Sequence, residues 1–413
     1  MYVSLRDRPG RELGAGARGV APRVAKTVVL LGIVSLLTDI SSEMVAAVLP
    51  LYLTAELGLG LLAYGFIDGL YQGVSAFVRI AGGYLGDRYH RPKWVATFGY
   101  GVSALSRIAM LAVHGFAGIT AVVTADRLGK GLRTAPRDAL IAGASEAGTL
   151  GRSFGVHRML DTVGAALGPL VAFALLAAVP AGYSSVWVVS FAFAVVGVAV
   201  IVLFVPNDKA EHGLSALRPA TLFREMIAPR LRRPLAVAAL LGVLTVGDGF
   251  LYLSLQKRDD FAAVWFPLLY VGTNLAYLTL AVPMGRLADR VGRAKVLVGG
   301  HVALIAVYLV AARPAGGIGW TIACLLLLGV FYAATDGVLA ALMSRLVAPQ
   351  ARGSGIAAAQ TVVVLARFAS SMAFGGLWLA MGPSHALLLV AALLGLAVPV
   401  AAIVLRNVDR PAT

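Results

Sequence analysis

The sequence predicts an all-α membrane protein whose twelve transmembrane helices form two pseudo-symmetric six-helix bundles. Of its 413 residues, 59% are hydrophobic and only 13% are charged, and the mean hydropathy is +0.84, which is outside the range of soluble globular domains. Twelve mostly apolar stretches are each long enough to cross a bilayer, which takes about 20 residues. Short motifs also recur in both halves of the chain, so we expect a duplicated fold.

The predicted spans fall into two groups of six, separated by the longest hydrophilic segment, 206–234. The first bundle, 28–205, holds the spans 28–55, 61–86, 94–114, 117–141, 153–177 and 183–205. The second bundle, 235–405, holds 235–256, 262–284, 295–313, 318–344, 354–380 and 384–405. Residues 1–27 are basic and lack the apolar core of a signal peptide, so we expect them, like 406–413, to be a retained tail.

Positive charge is distributed unevenly between the predicted loops. Lysines and arginines fill the tails, the central segment and alternate loops, whereas the other loops hold only Lys257, Arg258 and Arg313. By the positive-inside rule, both termini are cytoplasmic, and we expect a multi-pass protein of the bacterial inner (plasma) membrane. This bias explains the net charge of +15 without a nucleic-acid partner. The segment 206–234 fits an amphipathic helix on anionic lipid and a plain linker equally well.

Three pairs of short segments show the internal duplication. "GGYLGDRYHRPK" at 82–93 matches "MGRLADRVGRAK" at 284–295, "RDALIAG" at 137–143 matches "TDGVLAA" at 335–341, and "GRSFGV" at 151–156 matches "ARGSGI" at 351–356. Two repeated six-helix halves that face each other across a central cavity are typical of alternating-access carriers.

The first pair of segments resembles the loop signature of the major facilitator superfamily, and the resemblance extends over roughly 28–405. The chain resembles in particular the twelve-helix drug/proton antiporters of bacteria. His90 and Pro92 depart from the signature in the first half. The resemblance implies the superfamily fold and a cytoplasmic gate formed by two sets of residues, which are Gly83, Asp87, Arg88 and Arg91, and Gly285, Asp289, Arg290 and Arg293.

The fourth predicted span carries four cations within "DRLGKGLRTAPRDAL". At about 100° per residue, all charges fall within one arc of roughly 160°. An unpaired cation near the bilayer centre costs roughly 2.5 to 3.5 kcal/mol, so this face must meet water or acids. Arg127 fits a family pattern that implies tuning of a proton-carrying acid, and we expect Lys130 to meet substrate. We expect Arg133 and Arg137 to reach the headgroups at the cytoplasmic surface.

Acidic residues in the spans are candidates for proton carriers. Asp39 and Glu43 lie one helical turn apart in the first span, and two such carboxyls near each other do not both ionise easily. We therefore predict a proton-coupling group of Asp39, Glu43 and Arg127, with a static buried ion pair as the alternative. The predicted substrate-cavity residues are Lys130, Asp68, Tyr71, Gln72, Asp248 and Asp336, and no role is assigned to Arg79, Arg107 and Arg367.

The fifth span resembles the motif that marks antiporters in the same superfamily, through Gly155, Gly164, Gly168 and Pro169. Small residues allow a neighbouring helix to approach closely, and the proline bends the span. Ala172 and Phe173 replace the final glycine pair of the motif. Next to it, His157, Arg158 and Asp161 form either an extension of a proton route or a structural ion pair.

These features predict a secondary active transporter: a proton-coupled exporter, or antiporter, of small molecules that works by rocker-switch alternating access. Proton-coupled symport, and export of an anionic or zwitterionic metabolite, remain alternatives. The expected partners are a small-molecule substrate, protons and membrane lipid, and the chain is expected to be a monomer without cofactor or metal. An enzyme is not expected, because the six histidines lack HExxH spacing and neither GxSxG nor a phosphate loop is present.

Overall fold

The computed structural model describes residues 24–89, 91–146, 149–206, 229–346 and 352–406. The side chains of 76, 77, 79–89, 229–230, 344–345 and 352–355 lie outside that description. The predicted N-terminal tail and the predicted linker helix fall mostly on 1–23 and 207–228, which are also outside it.

The first half of the chain forms six helices. They are α1 (Lys26–Leu51, continued by a π-helical turn at Tyr52–Glu56), α2 (Leu61–Tyr89), α3 (Pro92–Ala109), α4 (Gly115–Gly143), α5 (Leu150–Ala178) and α6 (Tyr183–Phe204). Each agrees with a predicted span to within a few residues at either end.

The second half contains the remaining six spans, although its helices divide differently. They are α7 (Pro229–Val243), α8 (Asp248–Asp259), α9 (Phe266–Val291, preceded by a 3-10 turn at Ala263–Trp265), α10 (Arg293–Ala311), α11 (Ile318–Arg345) and α12 (Arg352–Leu405). Together α7 and α8 make one broken span, whereas α12 makes two, because the chain bends at Gly382, where φ is 78°. The predicted all-α fold of twelve spans in two bundles is confirmed, and the described residues contain no strand.

Hydropathy alone does not account for every span. Eight segments in the described part of the chain are long and apolar enough to cross a membrane, and one of them, Ile356–Leu405, holds two spans. Helix α4 is not among the eight because it carries six charged residues, namely Asp126, Arg127, Lys130, Arg133, Arg137 and Asp138. Its place in the membrane therefore depends on the protein groups that surround it.

In the described part of the chain, the two bundles meet mainly along two helix pairs. Within the first bundle, α1 packs along α5 and α6, and α4 packs between α2 and α3. Between the bundles, α2 packs on the first part of α12, and α5 packs on α9. A Cβ atom added at Gly65 of α2 would overlap the backbone of Ser371, so glycine is required for this close approach.

The two ends of the molecule differ in charge. Helices α1, α3 and α5 begin at the end that carries Lys26, Arg91, Arg152, Arg293 and Arg406, which we call the basic end. The other, which we call the opposite end, carries the connection from α1 to α2 and the bend at Gly382.

The break between α7 and α8 was not predicted from the sequence, which indicated a continuous span over 235–256. The hydroxyl of Tyr308 donates to the Leu244 carbonyl at 2.9 Å and accepts from the Val246 amide at 2.8 Å. Ser370 donates to the Thr245 carbonyl at 2.9 Å. Non-helical backbone is tolerated inside a membrane only where such partners replace its missing hydrogen bonds.

Candidate functional site

A cavity of about 470 Å³ lies between the two bundles, in the half of the molecule nearer the basic end. Its wall includes Asp39 of α1, Lys130 of α4, Asp336 of α11 and Arg367 of α12. The lining residues Asp336 and Gln360 are exposed, so the cavity is accessible to solvent. This volume lies within the range of about 300 to 1,000 Å³ that is usual for small-molecule sites.

The opposite end is closed by aromatic side chains from both bundles. The ring of Tyr64 on α2 lies 4.7 Å from that of Phe250 on α8, which in turn lies 5.1 Å from Phe374 on α12. Phe173 of α5 and Trp265 pack at 5.4 Å on the other side of the interface. The structure is therefore open towards the basic end and sealed at the opposite end.

Five charged side chains from the first bundle form what we call the cavity cluster: Asp39, Lys130, Arg133, Arg137 and Asp161. The carboxyl groups of Asp39 and Asp161 lie close enough to share a hydrogen bond. Arg133 Nη2 lies 3.9 Å from Asp39 Oδ1, and Arg137 Nη1 lies 3.9 Å from Asp161 Oδ1. An ionised carboxylate only accepts hydrogen bonds, so a hydrogen bond between these two acids forms when one of them carries a proton.

The prediction that Arg133 and Arg137 reach the headgroups is wrong. Arg133 is only 3% exposed and lies over the ring of Tyr100 at 4.5 Å. Arg137 donates to Asp138 at 2.9 Å and to the Ser35 hydroxyl at 3.1 Å. Acids, hydroxyls and a ring from the protein hold both cations at the cavity, so they do not extend to the membrane surface.

A second group of charges, which we call the sealed cluster, consists of Arg107, Asp126 and Arg127, each 3% exposed. Asp126 accepts hydrogen bonds from Arg127, and Arg107 Nη2 lies 2.8 Å from Asp126 Oδ1 in an ionic contact that lacks hydrogen-bond alignment. Arg107 also donates to the Ser42 hydroxyl at 3.0 Å. The guanidinium of Arg127 lies 3.7 Å from the centre of the Tyr71 ring.

The predicted coupling group of Asp39, Glu43 and Arg127 is not brought together. Asp39 lines the cavity beside Asp161, whereas Glu43 and Arg127 do not line it and interact electrostatically with each other away from it. Arg127 and Arg133 are separated by about 240° around α4. One therefore faces Tyr71 of α2, and the other faces Asp39 of α1.

The predicted substrate-cavity residues divide into two sets. Lys130, Gln72 and Asp336 line the cavity. The remaining three, Asp68, Tyr71 and Asp248, lie outside its lining, in contact with other side chains.

The contacts of those three are all within the protein. Asp68 accepts from Ser371 of the other bundle at 2.6 Å, and Asp248 accepts from Tyr332. Tyr71 packs under Arg127. Asp68, Tyr71 and Asp248 therefore contact other side chains of the described protein and do not line the cavity.

Sequence reasoning missed the importance of Asp126 and left Arg107 and Arg367 unassigned. The signal for Asp126 was present, since it immediately precedes Arg127 and falls on the same charged arc of α4. No pattern in the sequence indicated that Arg107 of α3 would pair with it, or that Arg367 would line the cavity. The side chain of Arg79 lies outside the described residues.

The motif glycines of α5 differ in their packing. A Cβ atom at Gly164 or Gly168 would overlap α1, at Leu36 or at Glu43 and Ile40, whereas one at Gly155 would meet nothing within 4 Å. The small residues Gly164 and Gly168 therefore set the distance between α1 and α5. Pro169 lies within the helix.

Among the described residues, the polar neighbours of that motif form no continuous chain of hydrogen bonds. Arg158 Nη1 lies 3.5 Å from Asp161 Oδ2, and the arginine side chain is 75% exposed. His157 is buried, and neither ring nitrogen has a hydrogen-bond partner within the described residues. The structure forms the Arg158–Asp161 ion pair, and Asp161 also lies beside Asp39 at the cavity.

The predicted cytoplasmic gate lies at the basic end and does not link the bundles in this state, as far as its side chains are described. Arg293 donates to Asp289 at 3.0 Å and to the Ala341 carbonyl at 3.0 Å, both within the second bundle. Arg91 and Arg290 are exposed, and Gly285 has open space beside it. The side chains of Gly83, Asp87 and Arg88 lie outside the described residues.

Comparison with known proteins identifies the family. The family model of the Major Facilitator Superfamily matches residues 31–274 and 265–413. The chain belongs to the major facilitator superfamily. The fold agrees, since the nucleoside transporter NupG superposes on 92% of this chain and 99% of its own, with a TM-score of 0.79 at 14% identity.

Two proteins are similar to this chain in sequence. An uncharacterized MFS-type transporter of Methanocaldococcus jannaschii is 29% identical over 370 residues, covering 86% of this chain and 89% of its own. The fosmidomycin resistance protein of Escherichia coli is 27% identical over 244 residues, covering 58% of this chain and 57% of its own. The protein is thus a multi-pass membrane transporter with a small-molecule substrate.

Proposed function

We propose that this superfamily member is a proton-coupled exporter of small molecules that works by alternating access. A cavity that is open at one end and sealed at the other is one of the two states that this mechanism requires. The cavity lies between the two bundles of the same chain, which supports a functional monomer.

The direction of transport is proposed from charge and from one relative. The distribution of lysine and arginine supports a cytoplasmic basic end in a bacterial inner membrane, so that this state would admit substrate from the cytoplasm. Export of a drug would produce the resistance for which the Escherichia coli relative is named.

The contact between Asp39 and Asp161 carries the proposal of proton coupling. The two carboxyls share the cavity wall with Lys130, Arg133 and Arg137, so gain or loss of their proton changes the charge that a substrate meets. Binding of substrate and binding of a proton are then linked through the same electrostatic field. The sequence suggested Glu43 as the partner of Asp39, and the proposal assigns that role to Asp161, which lines the cavity beside Asp39.

The test uses inverted membrane vesicles from cells that express the full chain, energised to acidify their interior, with labelled fosmidomycin as the first probe. Export predicts accumulation that is abolished when nigericin collapses the pH gradient. Accumulation in right-side-out vesicles instead would favour proton symport, and accumulation that survives nigericin would contradict proton coupling.

The Asp39→Asn variant separates coupling from transport. It is expected to lose gradient-driven accumulation while keeping exchange of labelled for unlabelled drug, because the amide cannot carry the proton. Asp260→Asn is the matched control, since Asp260 is exposed after α8 in a left-handed conformation that asparagine also adopts. Full gradient-driven accumulation in Asp39→Asn would refute the role of this acid.

A further inference from the structure

We propose that the cavity binds an organic anion, whose acidic group lies against Lys130 and Arg133 and whose apolar part lies on the wall formed by the second bundle. This inference rests on the proposed transport function and names its class of substrate. Three properties of the cavity support it.

The first property is an excess of positive charge. Of the described side chains that line the cavity, five are cationic and three are acidic: Lys130, Arg133, Arg137, Arg158 and Arg367 against Asp39, Asp161 and Asp336. Asp138, which lies beside the lining, pairs with Arg137, so one positive charge remains uncompensated. A proton shared by Asp39 and Asp161 adds a second. When the cavity closes away from water, uncompensated cations become costly, and an anionic substrate is the ligand that offsets the cost.

The second property is the presence of donors without acceptors. Arg133 Nη1 and Arg367 Nε are both buried and have no hydrogen-bond partner within the described part of the chain. A guanidinium has only donors, so an acceptor must come from a ligand or from water. Carboxylate, phosphate and phosphonate groups fit the planar fork of arginine with two oxygens.

The position of these donors is also informative. Arg133 belongs to the first bundle and Arg367 to the second, and both line the same cavity. Lys130, next to Arg133, forms no salt bridge with the described residues. An anion held by this set would contact both bundles, as a substrate must if its binding is to favour their rearrangement.

The third property is the difference between the two walls. Each lining residue from the described first bundle is polar or charged, as with Gln72, Ser75 and Thr134. The second bundle contributes an apolar surface formed largely by Leu241, Leu297, Phe331, Leu339, Val363 and Val364. An amphipathic anion can satisfy both walls at once, whereas a small inorganic anion leaves the apolar wall uncovered.

Binding is tested on the purified full chain in detergent at fixed pH and ionic strength, by isothermal titration calorimetry. The probes are 4-phenylbutyrate and 3-phenylpropylphosphonate, with 4-phenylbutylamine and 4-phenylbutan-1-ol as matched compounds that lack the negative charge, and acetate and sulfate as anions without the apolar part. At least one aromatic acid is expected to bind roughly tenfold or more tightly than every other compound, as expected for one charge-assisted hydrogen bond.

Substitutions at Lys130 and Arg133 test where the acidic group of the ligand binds. Lys130→Gln and Arg133→Gln are each expected to weaken binding of the aromatic acid by about tenfold. Arg133 is more deeply buried, so Arg133→Gln could weaken binding by disturbing the fold. Lys130→Gln removes no salt bridge, so a loss of binding in this variant is attributable to the ligand contact. Arg313→Gln is the control, because Arg313 packs over Trp320 at 4.0 Å at the opposite end. The affinity of this variant for the aromatic acid should equal that of the wild type.

Several results would overturn the proposal: an amine or alcohol that binds as tightly as the aromatic acids, failure of both acids to bind, or unchanged affinity in Lys130→Gln. Tighter binding of acetate or sulfate than of the aromatic acids would reject the role of the apolar wall. Calorimetry on the purified protein measures binding without a gradient, so it is independent of transport. A protein that binds the acids but transports nothing would contradict only the proposed function. Transport of amines would contradict only the substrate class.

Discussion

The sealed cluster and the cavity cluster contain the same kinds of side chain and share helix α4, yet their environments differ. In the sealed cluster, Asp126 contacts both Arg107 and Arg127, and the Tyr71 ring covers the second arginine. In the cavity cluster, two acids lie side by side, and one nitrogen of Arg133 has no hydrogen-bond partner among the described residues. The sealed cluster pairs its acid with two arginines, whereas the cavity cluster is open to further partners, and it is there that we propose binding of a ligand and a proton.

The physical basis is the cost of burying a charge. A buried ion pair is tolerated when its partners satisfy one another, and the loss of one partner leaves the other uncompensated. A half-buried group beside the open cavity, such as Lys130, carries less of that cost, so it can remain without a salt bridge until a substrate arrives. We therefore expect substitutions in the sealed cluster to affect stability, and those in the cavity cluster to affect transport.

The largest expected effect is that of Asp126→Asn, which removes the acid between two buried arginines. Loss of one member of a buried ion pair costs about 3 to 5 kcal/mol. We expect a large fall in the unfolding temperature and in the yield of monodisperse protein, measured by fluorescence-detected size exclusion after heating. Asp260→Asn makes the same chemical change at an exposed site and should behave like wild type. If the Asp126 variant were equally stable, the cluster would not be sealed as described.

The next largest effect is expected where α5 packs closely against α1, beside Glu43. Gly168→Ala places a methyl group against Glu43 and the Ile40 carbonyl, and overpacking of this kind costs about 1 to 3 kcal/mol. Thermal unfolding of this variant is compared with that of Gly155→Ala, where the methyl group meets open space. We expect a loss of stability in the first and none in the second, and equal behaviour would mean that α1 and α5 can separate without cost.

Glu43→Gln tests a residue between the two clusters. Glu43 interacts with Arg127 only at longer range, so its loss should cost about 1 kcal/mol or less. Because it does not line the cavity, gradient-driven accumulation in inverted vesicles should persist. Loss of accumulation equal to that of Asp39→Asn would restore the pairing suggested by the sequence.

The smallest effect on stability is expected for Asp161→Asn. Its contacts with Arg137 and Arg158 are 3.9 and 3.5 Å long, so we expect a change in unfolding free energy of less than about 1 kcal/mol. Accumulation driven by the pH gradient should nevertheless be lost, while exchange of labelled for unlabelled drug should persist. A variant that unfolds like Asp126→Asn would show that the cavity cluster is structural as well.

Much of the architecture could be predicted because it depends on local patterns. The twelve spans follow from runs of apolar residues, and the duplication follows from repeated motifs at 82–93 and 284–295. The charged arc of α4 follows from helical geometry, and it correctly required protein or water beside Lys130. An interruption of a helix that is stabilised by residues distant in sequence could not be predicted. In span seven, for example, Tyr308 and Ser370 replace the missing helical hydrogen bonds.

The sequence by itself determined the spans, their grouping into two bundles, the superfamily resemblance and the face of α4 that carries charge, because helical period and hydropathy act within a single segment. Only the tertiary structure decided that Asp39 meets Asp161 rather than Arg127, that Arg107 joins Asp126, and that Arg133 faces the cavity. These pairings depend on the rotation and spacing of helices distant in sequence, set in part by the close contact of Gly164 and Gly168 with α1.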